Sequence, residues 1–291
     1  MQRFFSPKEL AEAIGMSESS LKRWADAGLL EVARTAGGHR RITLREAMGF
    51  IRRSNLRVIK PEILGLERLS AAPGKDRNQA LAQAVEEGNV EIVQSILVSG
   101  YLEGQSVAEM CDEGMAPAMH RVGELWKHGP EGIFIEHRAV DVCSQALHSL
   151  RSMLPMPQPD DPVAIGGSLE GDPYVLPSLM VACVLGTVGW RAVNLGPGVP
   201  MEALLEAVRQ YHPAMVWLSC SVDEAARVQD RAVRKAVRRL AGLGIRVLAG
   251  GRAWNGTRWE PDSGIAQGNS MAEAVAFAEG VRGSVRVESR C

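Results

Sequence analysis

Three groups of residues in this chain have the types and spacing to do chemistry. Trp126 is followed, after nine residues, by Glu136-His137, with His128 close to the indole. An indole with a carboxylate–imidazole pair can cover the face of a flat cofactor, and a helical bundle can equally bury the one and satisfy the other. A second group is basic: Arg34-Thr35-Ala36-Gly37-Gly38-His39-Arg40-Arg41 sets arginines and a histidine around paired glycines. Such a segment suits a tight hairpin laid along a phosphate backbone, or a merely structural basic loop. The third group is Asp172 with Tyr174, Ser219-Cys220-Ser221 and Gly250-Gly251, with Gly166-Gly167 beside them. Small residues at strand ends let a ligand approach a parallel sheet, although strand-end glycines are common in all such sheets.

The elements that must position these residues are legible as three blocks. Ser6-Pro7-Lys8-Glu9 reads as a capped helix start, Gly15 as its stop and Ser17 as the next cap. Leu10, Ala13 and Ile14 line the first helix, and Leu21, Trp24, Ala25 and Leu29 the buried side of the second. Two short helices around a glycine turn form a helix-turn-helix, which leaves Ser19, Ser20, Lys22 and Arg23 facing outward, toward base edges and phosphates. The basic hairpin would be its wing, with a further helix from about Thr43. Residues 58–62 and 71–75 read as connectors. Apolar residues at helical spacing from 77 to about 153 predict four bundled helices. Strands are predicted at 163–167, 192–195, 214–218 and 245–249, and helices at about 174–188, 201–211, 223–241 and 271–281. That alternation specifies a doubly wound parallel sheet. The predicted fold class is thus multi-domain: an α winged helix-turn-helix at 1–70, a four-helix bundle at 76–155 and an α/β Rossmann-like domain at 161–283.

Composition narrows the function classes. The chain has 291 residues and a net charge of −1, but residues 1–60 carry twelve Lys/Arg against six Asp/Glu. A basic module on an acidic body predicts a polyanion at one end. Neither a membrane span nor a secretory signal is visible, which predicts a cytoplasmic protein. The five cysteines, at 111, 143, 183, 220 and 291, lack a C-x-x-C pair and read as reduced, mostly packed thiols. No nucleophile–base pair or phosphate-cradling glycine loop is visible, so catalysis is not expected.

The segments Ser6-Pro7 to Leu30 and Thr35-Ala36-Gly37-Gly38-His39-Arg40-Arg41 resemble the MerR family of bacterial transcription regulators. The Trp-x9-Glu-His spacing resembles that of the adenosylcobalamin-binding photoreceptor repressors within that family, in which the bundle closes over the upper face of cobalamin. The C-terminal block is similar to cobalamin-binding Rossmann-like domains through Gly171-Asp172, the 189–196 segment, Ser219-x-Ser221 and Gly250-Gly251. In that family an Asp-x-His-x-x-Gly loop supplies a His below cobalt. Here the loop is Asp172-Pro173-Tyr174-Val175-Leu176-Pro177: a phenol replaces the imidazole and a proline the glycine. None of the six histidines (39, 120, 128, 137, 148, 212) falls in this loop, so standard His-on cobalamin is not expected.

The resemblance implies a DNA-binding regulator, a repressor in its relatives, acting on promoter DNA as a homo-oligomer, dimer or tetramer, without a membrane. The residues expected to meet DNA are Ser19, Ser20, Lys22, Arg23, Arg34, Thr35, Gly38, His39, Arg40 and Arg41. Those expected at a cofactor are Trp126, His128, Glu136, His137, Asp172, Tyr174, Ser219, Ser221, Gly250 and Gly251; no metal ligands are assigned. Three sensor versions stay open: cobalamin without a protein lower ligand; another tetrapyrrole, a bilin or haem, touching Trp126, His128, His137 or Tyr174; or no cofactor and a protein partner. The alternative class is a corrinoid methyl carrier or enzyme subunit, which predicts an axial His and no DNA-binding arm.

Overall fold

Ser6 caps the first helix through a reciprocal exchange. In the computed structural model, which describes residues 4–66, 75–125, 127, 129–255, 257, 259 and 264–288, the Glu9 N–H donates to the Ser6 hydroxyl at 3.2 Å. The Ser6 N–H donates to the Glu9 carboxylate at 2.7 Å. Helix α1 (Pro7–Ala13) buries Leu10 and Ala13 and stops at Gly15, whose φ of +67° lets the Met16 N–H reach the Ala11 carbonyl. Helix α2 (Glu18–Asp26) is capped by Ser17 and closes the same way, with Gly28 at φ +73° and the Leu29 N–H on the Trp24 carbonyl. Helical periodicity puts Leu29 on the buried side, but the structure does not: Leu29 is 59% exposed and Leu30 is 1% exposed. The left-handed Gly28 has already taken the chain off the helix, so the period no longer applies.

Strands β1 (Phe4–Phe5), β2 (Ala33–Arg34) and β3 (Arg40–Thr43) form an antiparallel sheet in the order β1-β3-β2. The two-residue β1 is too short to carry a sequence signal. Thr43 caps helix α3 (Leu44–Arg53). The stretch read as a connector is in fact pinned: the N–H groups of Ile59 and Lys60 both donate to the Ala13 carbonyl, at 2.7 and 3.0 Å. Lys60 also pairs with Glu12 at 2.7 Å.

Helices α4 (Lys75–Glu87), α5 (Val90–Leu102), α7 (Ala116–Leu125) and α8 (Pro130–Met153) pack on one another as the expected bundle. The short α6 (Val107–Glu109) runs into α7 through a π-helical turn, Met110–Met115. There Gly114 lets α4 come close, since a Cβ would lie 2.8 Å from Leu81 Cδ2. The basic module and the bundle belong to one unit, Met1–Pro155, and the rest to another, Met156–Cys291. Within the first unit, Arg52 of α3 donates to the Tyr101 and Gln105 carbonyls and lies 4.2 Å from the Tyr101 ring centre. A guanidinium there satisfies carbonyls that the end of α5 leaves free.

The second unit alternates β4 (Val163–Ser168), α9 (Leu176–Thr187), β5 (Arg191–Asn194), α10 (Met201–Tyr211), β6 (Met215–Ser219), α11 (Asp223–Ala241), β7 (Arg246–Gly250), β8 (Ile265–Gly268) and α12 (Met271–Glu288). Its sheet is parallel throughout, in the order β5-β4-β6-β7-β8. Strand alternation sorts the side chains: Ile165, Val216, Leu218 and Val247 pack with α10 and α11, and Ala164, Trp217 and Leu248 pack with α9 and α12. The fifth strand, β8, is absent from the sequence expectation because Ile-Ala-Gln-Gly has no distinct pattern.

Trp217 sets the packing of the α9/α12 face. Its indole N–H donates to Ser178 Oγ at 2.9 Å, and that hydroxyl donates to Asn194 Oδ1 at 2.7 Å. Gly166 exists to make room for the ring, because a Cβ there would lie 2.2 Å from it. Gly166→Ala is therefore expected to destabilise the protein by about 1–3 kcal/mol through overpacking. In α12 a Cβ on Gly280 meets nothing within 4 Å, so Gly280→Ala should stabilise by about 0.5–1 kcal/mol. Urea-unfolding midpoints of the two variants check both, and an unshifted Gly166→Ala midpoint would contradict the packing argument.

Candidate functional site

The order β5-β4-β6 puts the topological switch between β4 and β6, the place where an open parallel sheet forms a crevice beyond its carboxyl edge. Asp172 fastens the two loops that border it. Its carboxylate, in a residue 1% exposed, accepts from the Tyr174 N–H at 2.9 Å and from the Ser221 N–H at 2.5 Å. The Ser168 hydroxyl donates to the Tyr174 carbonyl at 2.8 Å, and the Gly198 N–H donates to the Asp172 carbonyl at 3.0 Å. Loops after β4, β5 and β6 are thereby tied together.

On this rigid base the Tyr174 ring stays 39% exposed. Arg252 lies beside it, its guanidinium 5.5 Å from the ring centre and its Nη2 3.4 Å from the phenol oxygen. Arg252 Nε donates to the Ser221 carbonyl at 2.6 Å, so the guanidinium is anchored. Ser219 is 4% exposed, and its hydroxyl has no partner among the described residues. It stands in register with Ser168 on the neighbouring strand. A buried hydroxyl without a partner is a free donor and acceptor for a ligand. Burial pushes the neighbouring Cys220 thiol up from its ordinary range, helped by the Asp172 and Asp223 carboxylates.

The glycines at this edge have structural reasons. A Cβ on Gly251, φ +106°, would lie 2.2 Å from the Cys220 carbonyl oxygen, and one on Gly250 would lie 2.9 Å from the Gly268 carbonyl oxygen. Both positions are used by backbone packing, as Gly166 is by Trp217. Toward a corrinoid, the second unit therefore offers the orphan Ser219 hydroxyl and the Tyr174 phenol. The only histidine in residues 156–291 is His212, the C-cap of α10, at the amino edge of the sheet.

In the bundle, Glu136 and His137 are adjacent on α8 but weakly joined. His137 Nδ1 is 3.6 Å from Glu136 Oε2, with the imidazole side chain 77% exposed and that of Glu136 19% exposed. Phe134, one turn before His137, is also exposed. Trp126 and His128 lie outside the described residues.

The basic hairpin divides its residues between support and display. Thr35 Oγ1 accepts from the His39 N–H at 3.1 Å, and Gly38, φ +77°, supplies the turn. Alternation along β3 points Arg40 and Ile42 one way and Arg41 the other. Arg40 pairs with Asp26 at 2.6 Å and donates to the Lys22 carbonyl at 3.1 Å, fixing the hairpin to the end of α2. Arg34, His39 and Arg41 are exposed, and the two arginines have no ion pair among the described residues. On α2, Lys22 pairs with Glu18 at 2.7 Å. The hydroxyls of Ser19 and Ser20 each share a hydrogen bond with Ser17 Oγ, and Arg23 donates to Ser20 Oγ at 3.4 Å. Sequence reasoning missed Arg52 and Arg252. The signal for Arg252 was its place directly after Gly250-Gly251; a lone helical arginine such as Arg52 carries none.

Comparison with known proteins accords with this layout. Residues 6–42 match the model of the MerR family regulatory protein, and residues 77–151 and 162–276 each match a B12 binding domain. Dimethylamine corrinoid protein 1 of Methanosarcina acetivorans is 22% identical over 197 residues, covering 65% of this chain and 85% of that protein. The trimethylamine corrinoid protein of Methanosarcina barkeri is 24% identical over 176 residues, covering 55% and 79%. The solved monomethylamine corrinoid protein of Methanosarcina barkeri shares the fold, with a TM-score of 0.52, 20% identity, and coverage of 69% of this chain and 96% of that one. One chain thus carries a MerR-like segment and two segments that match B12 binding domains.

Proposed function

We propose that the chain is a DNA-binding transcription regulator, a repressor, whose C-terminal parts bind a corrinoid and through it control oligomerisation and promoter binding. The observation that carries this reading is the presence on one chain of a MerR match and two B12 binding matches. It is a regulator rather than a catalyst. Arg34 and Arg41, exposed and without an ion pair among the described residues, support a phosphate contact by the hairpin, with Ser19, Ser20, Lys22 and Arg23 on the neighbouring helix. Domain limits of 1–70, 76–155 and 161–283 remain part of the proposal.

A corrinoid would find no histidine in the loop after β4. Tyr174 stands in the loop where the resembling family places its His, and His212 is at the other edge of the sheet. In the second unit Asp172, Tyr174, Ser219, Ser221, Gly250 and Gly251 would face the corrinoid; the assignment of Glu136, His137, Trp126 and His128 rests on the resemblance alone. A second reading, a methyl-carrying corrinoid subunit, is favoured by the names of the relatives. It gives the MerR segment no role.

Adding adenosylcobalamin to the purified chain is expected to yield a retained corrinoid absorption spectrum and a changed affinity for a promoter duplex, before and after illumination. Biliverdin and haemin serve as competing pigments. Retention of either in place of the corrinoid would replace the cofactor, and failure to bind any duplex in any state would end the regulator reading. Tyr174→His keeps the loop, because Asp172 and Ser168 hold only its backbone. The variant should bind cobalamin more tightly and shift its spectrum toward imidazole coordination; no gain would mean that the slot behind the loop is closed.

The two hairpin arginines separate in a salt titration. Arg41→Ala should weaken binding to all duplex sequences and make the dependence of log K on log[salt] shallower by about one unit, as expected for one lost phosphate contact. Arg40→Ala, which breaks the Asp26 pair, should lower thermal stability as well. A full-slope titration for Arg41→Ala would move the phosphate contact elsewhere.

A further inference from the structure

Helix α11 carries a charge pattern that the proposed function leaves unused. Residues 231–241 contain five Lys/Arg and no Asp/Glu. One of the five, Arg234, is occupied: it pairs with Asp230 at 2.9 Å and lies 5.2 Å from the Trp259 ring centre. The other four, Arg231, Lys235, Arg238 and Arg239, are exposed and have no ion pair among the described residues. Spaced i, i+4, i+7 and i+8, they fall within an arc of about 100° and about 12 Å of helix axis. The opposite arc, with Val233, Ala236, Val237 and Leu240, is packed in the core.

Folding accounts for only part of this stripe. Cations complement a helix dipole within the last turn, which covers Arg238 and Arg239 but not Arg231, ten residues before Ala241, or Lys235. Like charges at i, i+4, here Arg231 with Lys235 and Lys235 with Arg239, oppose helix formation. Two of the three acids on the same helix are paired, Glu224 with Arg227 at 2.5 Å and Asp230 with Arg234 at 2.9 Å. The stripe is left to water or to an external anion.

We propose that this face of α11 is a second contact for the phosphates of duplex DNA, in addition to that of the N-terminal hairpin; the proposal rests on the reading of the chain as a duplex-binding regulator. An anionic bilayer fits less well, because the apolar arc of α11 is already spent on the core. The bundle of another copy offers a sparser set of anions, since its Glu86, Glu103 and Glu124 are already paired with Arg121, Arg77 and Lys127 and Glu91, Glu113 and Glu131 are spread along different helices. A duplex presents one charge per about 1.7 Å of axis, enough to meet all four cations along the stripe.

The test is a salt series of anisotropy titrations of the full-length chain on a labelled promoter duplex. Arg231→Gln, Lys235→Gln, Arg238→Gln and Arg239→Gln combined should lower affinity by about tenfold or more and make the log K against log[salt] slope shallower by about 2–4 units. A triple Arg→Lys variant at 231, 238 and 239 should keep the wild-type slope, which separates charge from folding. Wild-type affinity and slope in the Gln variant, with loss of binding in Arg34→Gln/Arg41→Gln, would overturn the α11 contact while leaving the regulator reading intact. A changed oligomer mass of the Gln variant without DNA would reassign the face to another copy. Loss of phosphatidylserine-vesicle binding with DNA binding unchanged would reassign it to a bilayer. A wild-type chain that binds no duplex would remove the regulator reading, and this contact with it.

Discussion

A carboxylate that is almost wholly buried must find its hydrogen-bond donors inside the protein, and Asp172 finds them in two different loops. By accepting from the Tyr174 and Ser221 N–H groups it joins the segments that leave β4 and β6 on either side of the switch point. An unsatisfied buried acceptor of this kind costs about 1–3 kcal/mol, more when charged, so neither loop can move independently of the other. Everything displayed at this edge depends on that constraint: the Tyr174 ring, the orphan Ser219 hydroxyl and the Arg252 guanidinium resting on the Ser221 carbonyl.

Ionic groups elsewhere in the chain divide between support and display by the same logic. Arg40 and Arg41 are neighbours of one chemical type, yet strand alternation turns the first toward Asp26 and leaves the second exposed, without an ion pair among the described residues. Arg52 is spent on the end of α5, whereas the stripe on α11 has no ion pair among the described residues. Charge composition alone groups these residues together, and only their partners separate the ones that hold the structure from those that can meet an anion.

Glycine shows a comparable split. Gly15, Gly28 and Gly38 are required by their left-handed backbone, which turn patterns reveal. Gly166, Gly250 and Gly251 read in the sequence as an opening for a ligand. Their Cβ positions are in fact claimed by Trp217 and by the carbonyls of Gly268 and Cys220, which lie far away in sequence. The same residue type at the same strand ends therefore carries two meanings that spacing cannot distinguish.

The amino-acid sequence by itself determined the caps of α1 and α2, the alternation of the parallel sheet, the bundle, and the loop in which Tyr174 stands where a relative would place a histidine. These are legible because capping, periodicity and turn conformation act over a few residues. Only the tertiary structure decided that Arg40 supports rather than displays, that Leu29 faces outward, that β1 and β8 join their sheets, and that Arg252 meets Tyr174. Each of those depends on groups brought together from distant parts of the chain, such as Tyr174 and Arg252, 78 positions apart. Local pattern carries no record of such a meeting, because it arises only once the intervening strands have paired and the helices between them have packed.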